Sequence, residues 1–158
     1  MLSEFLPVVV SGDGNCLFRS ASVAMYDTEE HHELLRLHTA IEIALYPEWY
    51  DSSQPSFRSS LREDRAVIFS PYHTLFKEVT TDGSCSDVAT ISALSAVLKA
   101  PIDMYFPPLG LAGVHPLSSV VIGRGVERAE PPIRIMWSTN GEVNLVELVR
   151  TFQKKIIL

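Results

Sequence analysis

The chain has 158 residues, 46% hydrophobic and 20% charged, enough for one folded domain with a buried core and unlike a disordered polymer. Its formal net charge of -6 argues against nucleic acid as the main partner, because phosphate binding needs a basic surface. No apolar run reaches the roughly 18 residues of a membrane span. The opening MLSEFLPVVV lacks the basic region and cleavage site of a signal peptide. Cys16 and Cys85 are too few for a disulfide framework or a four-ligand zinc site. Unpaired thiols fit a reducing compartment, so an intracellular protein of the cytoplasm or nucleus, with no metal, is expected.

In chain order, Leu6–Val10 reads as a buried strand. Ser11-Gly12-Asp13-Gly14 reads as a turn, with two glycines free to take positive φ. A helix is predicted from about Asn15 to Met25. A second begins near Thr28, where Glu29 and Glu30 suit a helix N-terminus. Leu34, Leu37, Ile41, Ala44 and Leu45 follow the three-four spacing of an amphipathic face, and Pro47 ends it. Asp51–Ser60 is a serine-rich loop by composition, and Ala66–Phe76 fits no single pattern. Thr81-Asp82-Gly83-Ser84 should turn and cap a helix from about Ser86 to Leu98. Val88, Ile91, Leu94, Ala96, Val97 and Leu98 indicate burial of that helix on more than one side. Ile102–Phe106 and Ile133–Trp137 read as strands. Between them Pro107–Pro132 is rich in glycine and proline, with room for a short strand at Ser118–Ile122. Val143–Leu158 fits a strand or a helix. No repeat or linker divides the chain, so residues 1–158 are expected to form one mixed α/β domain, with 142–158 its atypical or truncated part.

The chemical signal is Gly12-Asp13-Gly14-Asn15-Cys16-Leu17-Phe18-Arg19-Ser20. It places a cysteine after a glycine turn, at a helix start. The free N–H groups and partial positive charge of a helix N-terminus favour a thiolate. Together with the loop N–H groups they can hold an oxyanion, as acyl transfer through a thioester requires. The plainer alternative is a structural cysteine in a tight strand–helix connection. Cys85 also precedes a helix, but Ser84 and Ser86 are no glycine loop, and it is read as structural. Adjacent His31 and His32 point about 100° apart on a helix and make a poor metal pair.

The nonamer GDGNCLFRS resembles, residue for residue, the nucleophile motif of the OTU cysteine proteases, a family of deubiquitinases. Asp82-Gly83-Ser84-Cys85 through Ala93-Leu94-Ser95-Ala96, then Ile102-Asp103-Met104-Tyr105, resembles a divergent copy of that family's next helix and strand. Ala44-Leu45-Tyr46-Pro47 and Ile135-Met136-Trp137 resemble its vertnin-like branch. The resemblance spans roughly residues 6 to 148, and only the nonamer is specific. It implies an α/β (α+β) OTU-like cysteine protease fold, a small central sheet flanked by helices. It also implies ubiquitin or polyubiquitin as partner, no cofactor, Cys16 as nucleophile, and Asp13 in an oxyanion loop formed by Gly12, Asp13, Gly14 and Asn15.

One element of that family pattern is missing. OTU enzymes carry a base histidine just after the last core strand, and this chain has no histidine after His115. Asn144, in Val143-Asn144-Leu145-Val146, occupies the matching position, and an amide is no general base near neutral pH. Three accounts stand side by side: a truncated product that lost the histidine segment, a pseudoenzyme, or a substitute base, for which His115 is the candidate. Two functions follow. One is a ubiquitin isopeptidase impaired by the missing histidine. The other is a catalytically inactive OTU-like module that binds ubiquitin or acts as a regulator.

Overall fold

The computed structural model of the protein describes residues 7–57, 70–106, 117–139 and 146–151. Among these, strand β1 (Pro7–Val9) leads into helices α1 (Cys16–Tyr26), α2 (His32–Leu45) and the single turn α3 (Pro47–Tyr50). Helices α4 (Tyr72–Thr80) and α5 (Val88–Leu98) follow, then β2 (Ile102–Phe106), β3 (Leu117–Val121), β4 (Ile133–Thr139) and β5 (Val146–Thr151). The strands form one five-stranded sheet in the order β1-β5-β4-β2-β3. Only β2 and β4 run parallel, with Ile102 opposite Ile133 and Met104 opposite Ile135. The other neighbours are antiparallel. A mixed α/β fold with a small central sheet flanked by helices is therefore what the chain adopts.

Helix α5 is the centre of the core. Every residue from Ala89 to Ala96 is buried, as its lack of a polar face requires. Its start differs from the expectation: the Thr81–Ser84 turn does not cap it. Asp87 does, accepting from the Thr90 backbone N–H at 2.9 Å, the usual service of a short carboxylate at that position. Lys99 closes the helix in the left-handed region at φ 55°. The sheet presents Ile102, Met104, Val121 and Ile135 to the core, at the alternating spacing that a pleated strand imposes. On the intervening positions Asp103 and Arg134 lie opposite each other across β2 and β4, 3.9 Å apart.

Helix α2 covers the stretch its periodicity marked but starts at His32 and not near Thr28, and it turns the other face inward. Leu34, Leu37, Ile41 and Leu45 are between 45% and 64% exposed, and Ala44 is exposed too. The buried residues are Leu35, Arg36, Thr39, Ala40, Glu42 and Ile43. Two charged side chains outcompete an apolar stripe because each meets a full set of partners. Glu42 accepts from Arg124 through both oxygens, at 2.8 and 2.9 Å, and from Tyr50 Oη at 3.1 Å. Arg36 is satisfied by the two loops described below. Pro47 does end α2, and also opens α3 at a position where its missing N–H is harmless. The ambiguous stretch before Phe76 contributes to α4, and the weak signal at 118–122 is β3.

Candidate active site

Val10, just past β1, is buried, whereas Val9 is 64% exposed, so the strand is not buried along its length as expected; the chain then turns through exposed residues 11–13. Gly14 lies at φ +79°, a conformation that other residues enter at a cost. Asn15 takes the N-cap position, and Cys16 is the first residue of α1. Leu17 and Phe18, 1% and 0% exposed, fasten the first turn of the helix into the core, so the direction of the Cys16 side chain is set by packing. The thiol is half-buried. Burial pushes its pKa up, against the opposing pull of the Leu17 and Cys16 backbone N–H groups. The helix N-terminus therefore acts in the expected direction, and desolvation outweighs it.

Asp13 is not free to act as an acid or base. Arg19, one helical turn into α1, grips its carboxylate with Nε at 3.1 Å from both oxygens and Nη2 at 2.6 Å from Oδ2. The Asn15 backbone N–H adds a bond of 3.0 Å to Oδ1. The Arg19 guanidinium holds this carboxyl well below the usual carboxylate range. Arg19 reaches Glu29 as well, at 3.2 Å, which ties the Gly12–Asn15 loop to the segment before α2. Asp13 thus folds the loop through the Asn15 N–H and Arg19.

Asn15 and Arg36 build the rear of the loop. The Asn15 side chain is buried. Its Oδ1 accepts from Arg36 Nε at 3.0 Å and from the Gly83 N–H at 3.2 Å. Its Nδ2 donates to Asp82 Oδ1 at 2.9 Å. The Arg36 guanidinium, lying over the Phe18 ring at 4.5 Å, also donates to five carbonyl oxygens. These are Gly14 at 3.1 Å, Glu78 at 3.1 Å, Val79 at 3.4 Å, Thr81 at 3.0 Å and Ser84 at 2.9 Å. The turn after α4 is thereby pressed against the nucleophile loop. A Cβ on Gly14 would lie 1.8 Å from the Gly83 oxygen. Sequence reasoning missed Arg36 and Asp82. The only trace of Arg36 was a cation between Leu35 and Leu37 on a helix otherwise read by its apolar residues.

The family profile of the vertnin OTU domain matches residues 7–138. The chain belongs to this family. No curated protein matches it. Among solved structures, the OTU domain of OTUD1 is similar with a TM-score of 0.70 at 18% identity, covering 96% of this chain and 87% of that one. The Hazara virus OTU bound to ubiquitin has a TM-score of 0.62 at 12% identity, covering 97% and 86%. An OTU deubiquitinase from Wolbachia pipientis wMel bound to ubiquitin has a TM-score of 0.55 at 14% identity, covering 94% and 97%. At such identities the likeness is one of fold.

In this vertnin OTU domain, four histidines lie within the described residues. His31 packs edge-on against Tyr26 with ring centroids 4.7 Å apart. His32 sets Nδ1 2.8 Å from the Glu29 carbonyl oxygen and 3.4 Å from Arg19 Nη1. His38 and His73 are exposed. His115, expected as a candidate substitute base, and Asn144, expected at the position of the family's histidine, lie outside the described residues. Gly12, Asp13, Gly14, Asn15 and Cys16 are brought together as one loop. Cys85 is exposed, one residue beyond the Ser84 carbonyl that Arg36 holds. Among the described residues no group of three or more His, Cys, Asp or Glu is placed to hold a metal ion. Among them, too, no helix is long and apolar enough to cross a membrane.

Proposed function

We propose that this domain recognises ubiquitin and that Cys16 attacks the carbonyl of the modifier's C-terminal glycine, with turnover limited by the absence of the family's histidine. The observation that carries the reading is the finished nucleophile loop: Cys16 at the first position of α1, behind a Gly14–Asn15 backbone held rigidly by Asp13, Arg19 and Arg36. Such rigidity has a use in stabilising a developing charge at a fixed point. The ubiquitin-bound OTU structures of the same fold support ubiquitin as the partner.

In the reaction a C–S bond forms and the carbonyl electrons move to an oxyanion that faces the loop N–H groups. Collapse breaks the C–N bond, and the departing lysine amine needs a proton. Water then hydrolyses the thioester and regenerates the thiol. Positioned acid–base catalysis contributes about 10²–10⁴-fold to such steps, and no histidine follows His115 to supply it.

The test is cleavage of diubiquitin by the purified chain. Negligible turnover is expected, with partial recovery in Asn144→His. Robust turnover by the unmodified chain would overturn the impaired reading, and its loss in His115→Ala would transfer the base role to that residue. A second reading, a ubiquitin-binding module without chemistry, is favoured by the raised pKa of the half-buried Cys16 thiol. It predicts ubiquitin binding that is identical in Cys16→Ala and no covalent adduct under any condition.

A further inference from the structure

The nucleophile loop is held by more than its own motif. Arg36, 7% exposed on α2, bonds Gly14 O and Asn15 Oδ1 on one side, and Thr81 O and Ser84 O on the other. A single nitrogen, Nη2, serves both Gly14 and Ser84. Asn15 crosses the same seam, bonding Asp82 Oδ1 and the Gly83 N–H. The backbones meet so closely at Gly14 and Gly83 that no side chain fits between them.

A planar fork with five donors in fixed directions is required to span two loops in this way, and an ammonium on a flexible stem cannot do it. Burying that cation disfavours its charged form, so the structure holds it there against desolvation. A surface arginine would serve charge alone. The contacts of Arg36 are instead directed at carbonyl oxygens whose positions decide where the Gly14–Cys16 backbone lies.

We infer that Arg36 is a positioning residue for Cys16, and that the Thr81–Ser84 turn is the second half of the nucleophile loop, clamped to it through Arg36, Asn15 and Asp82. The inference rests on Cys16 being the reactive group. The turn leads into Cys85, which lies near enough to Cys16 to act on its charge, so the turn bears on both the burial of the thiol and the aim of the oxyanion donors. Releasing the clamp moves these two properties in opposite chemical directions. The groups that act on the sulfur by charge are Asp13, Cys85 and Arg36; where the cation is kept, the gain in solvation decides, so the thiol pKa falls and small electrophiles reach it faster. The loop N–H groups lose their alignment, so acyl chemistry on a bound ubiquitin slows. A misplacement of an ångström is worth up to about 10²-fold in such chemistry.

The test compares wild type with Arg36→Lys, which keeps the charge, and with Asp82→Ala, which cuts the clamp at its exposed end and leaves the core intact. Thermal melts first establish that each variant is folded. The first readout is the pH dependence of Cys16 alkylation by iodoacetamide, followed by peptide mapping. Both variants should shift the midpoint downward and speed Cys16 alkylation at pH 7 by about threefold or more. The second readout is labelling by ubiquitin bearing a C-terminal electrophile. Its limiting rate should fall about tenfold in Arg36→Lys, with the half-saturating concentration unchanged. If the wild type is never labelled, the ubiquitin reading fails and the alkylation profile alone decides the clamp. An unchanged Cys16 midpoint in both folded variants would overturn the inference, as would an Arg36→Lys variant labelled at the wild-type limiting rate.

Discussion

Gly14→Ala forces the two loops apart, and the structure allows its effect to be sized. At φ +79° an alanine carries backbone strain of about 1–2 kcal/mol. The added Cβ would lie 1.8 Å from the Gly83 oxygen and 2.4 Å from the Gly83 carbon. Both are backbone atoms and cannot rotate away, so the Thr81–Ser84 turn must retreat by roughly the shortfall from a normal contact of about 3.5 Å. That retreat breaks the bond from the Gly83 N–H to Asn15 and strains the one from Arg36 to Gly14. A bond to a charged group contributes about 1.5–3 kcal/mol and a neutral one about 1 kcal/mol. With the first bond lost and the second about half lost, the sum is a loss of about 3–5 kcal/mol. Gly125 provides the control, because it has a similar φ of +69° with nothing within 4 Å of its Cβ position. Gly125→Ala should therefore lose only the strain, about 1–2 kcal/mol. Urea unfolding followed by circular dichroism gives both values on one scale. Equal destabilisation of the two variants would refute the close approach of the loops and, with it, the clamp.

At neutral pH a small alkylating agent should label exposed Cys85 before half-buried Cys16, because burial raises the pKa of the latter; peptide mapping reads the order, and faster labelling of Cys16 would contradict the burial of its sulfur. The Asp13 carboxyl is depressed by Arg19 from an ordinary 3.8, so the stability it contributes is complete above that value and is lost as pH falls below it towards the folded-state pKa. Carboxyl NMR should find Asp13 still ionised at pH 3.8, its ordinary midpoint, and Arg19→Ala should bring it back towards that value. Arg124→Ala leaves the buried Glu42 carboxylate beside Tyr50 without its cation and should cost about 2–4 kcal/mol in the same urea assay. Arg124→Ala with Glu42→Leu should recover much of that loss, since the unpaired charge is removed as well.

The legible and illegible parts of the fold divide along physical lines. Strand β2 was readable to the residue, because Ile102–Phe106 alternates over a short apolar run between breakers. Helix α5 was readable as a buried helix, though its cap was placed at the turn and not at Asp87. Helix α2 was readable as a helix and misread as to face. Periodicity scores Leu34, Leu37, Ile41 and Leu45 as inward by their chemistry. The actual inward face is set by Arg36 and Glu42, whose partners come from residues 14–15, 78–84, 50 and 124. Long-range satisfaction of that kind leaves no local signal. The same limit applies at the site. The placing of Cys16 at the first position of a helix was legible, because a strand, a glycine turn and a helix start are contiguous. The opposing turn is almost seventy residues away, and the only hint of it was the exposed sequence Thr81-Asp82-Gly83-Ser84. The pulls on the Cys16 thiol divide in the same way: the helix N-terminus is local and visible, whereas the burial that opposes it comes from segments brought together only by folding.

In the proposed function Cys16 is a nucleophile aimed at the C-terminus of ubiquitin, in a chain with no histidine after His115. Intact-mass spectrometry after incubation with ubiquitin carrying a C-terminal electrophile tests it most directly, because such a probe needs the sulfur and the oxyanion loop but no protonation of a leaving amine. The account predicts slow formation of a one-to-one adduct, mapped to Cys16, abolished in Cys16→Ala and retained in Cys85→Ala. No adduct after prolonged incubation at raised pH, or an adduct that maps to Cys85, would contradict it.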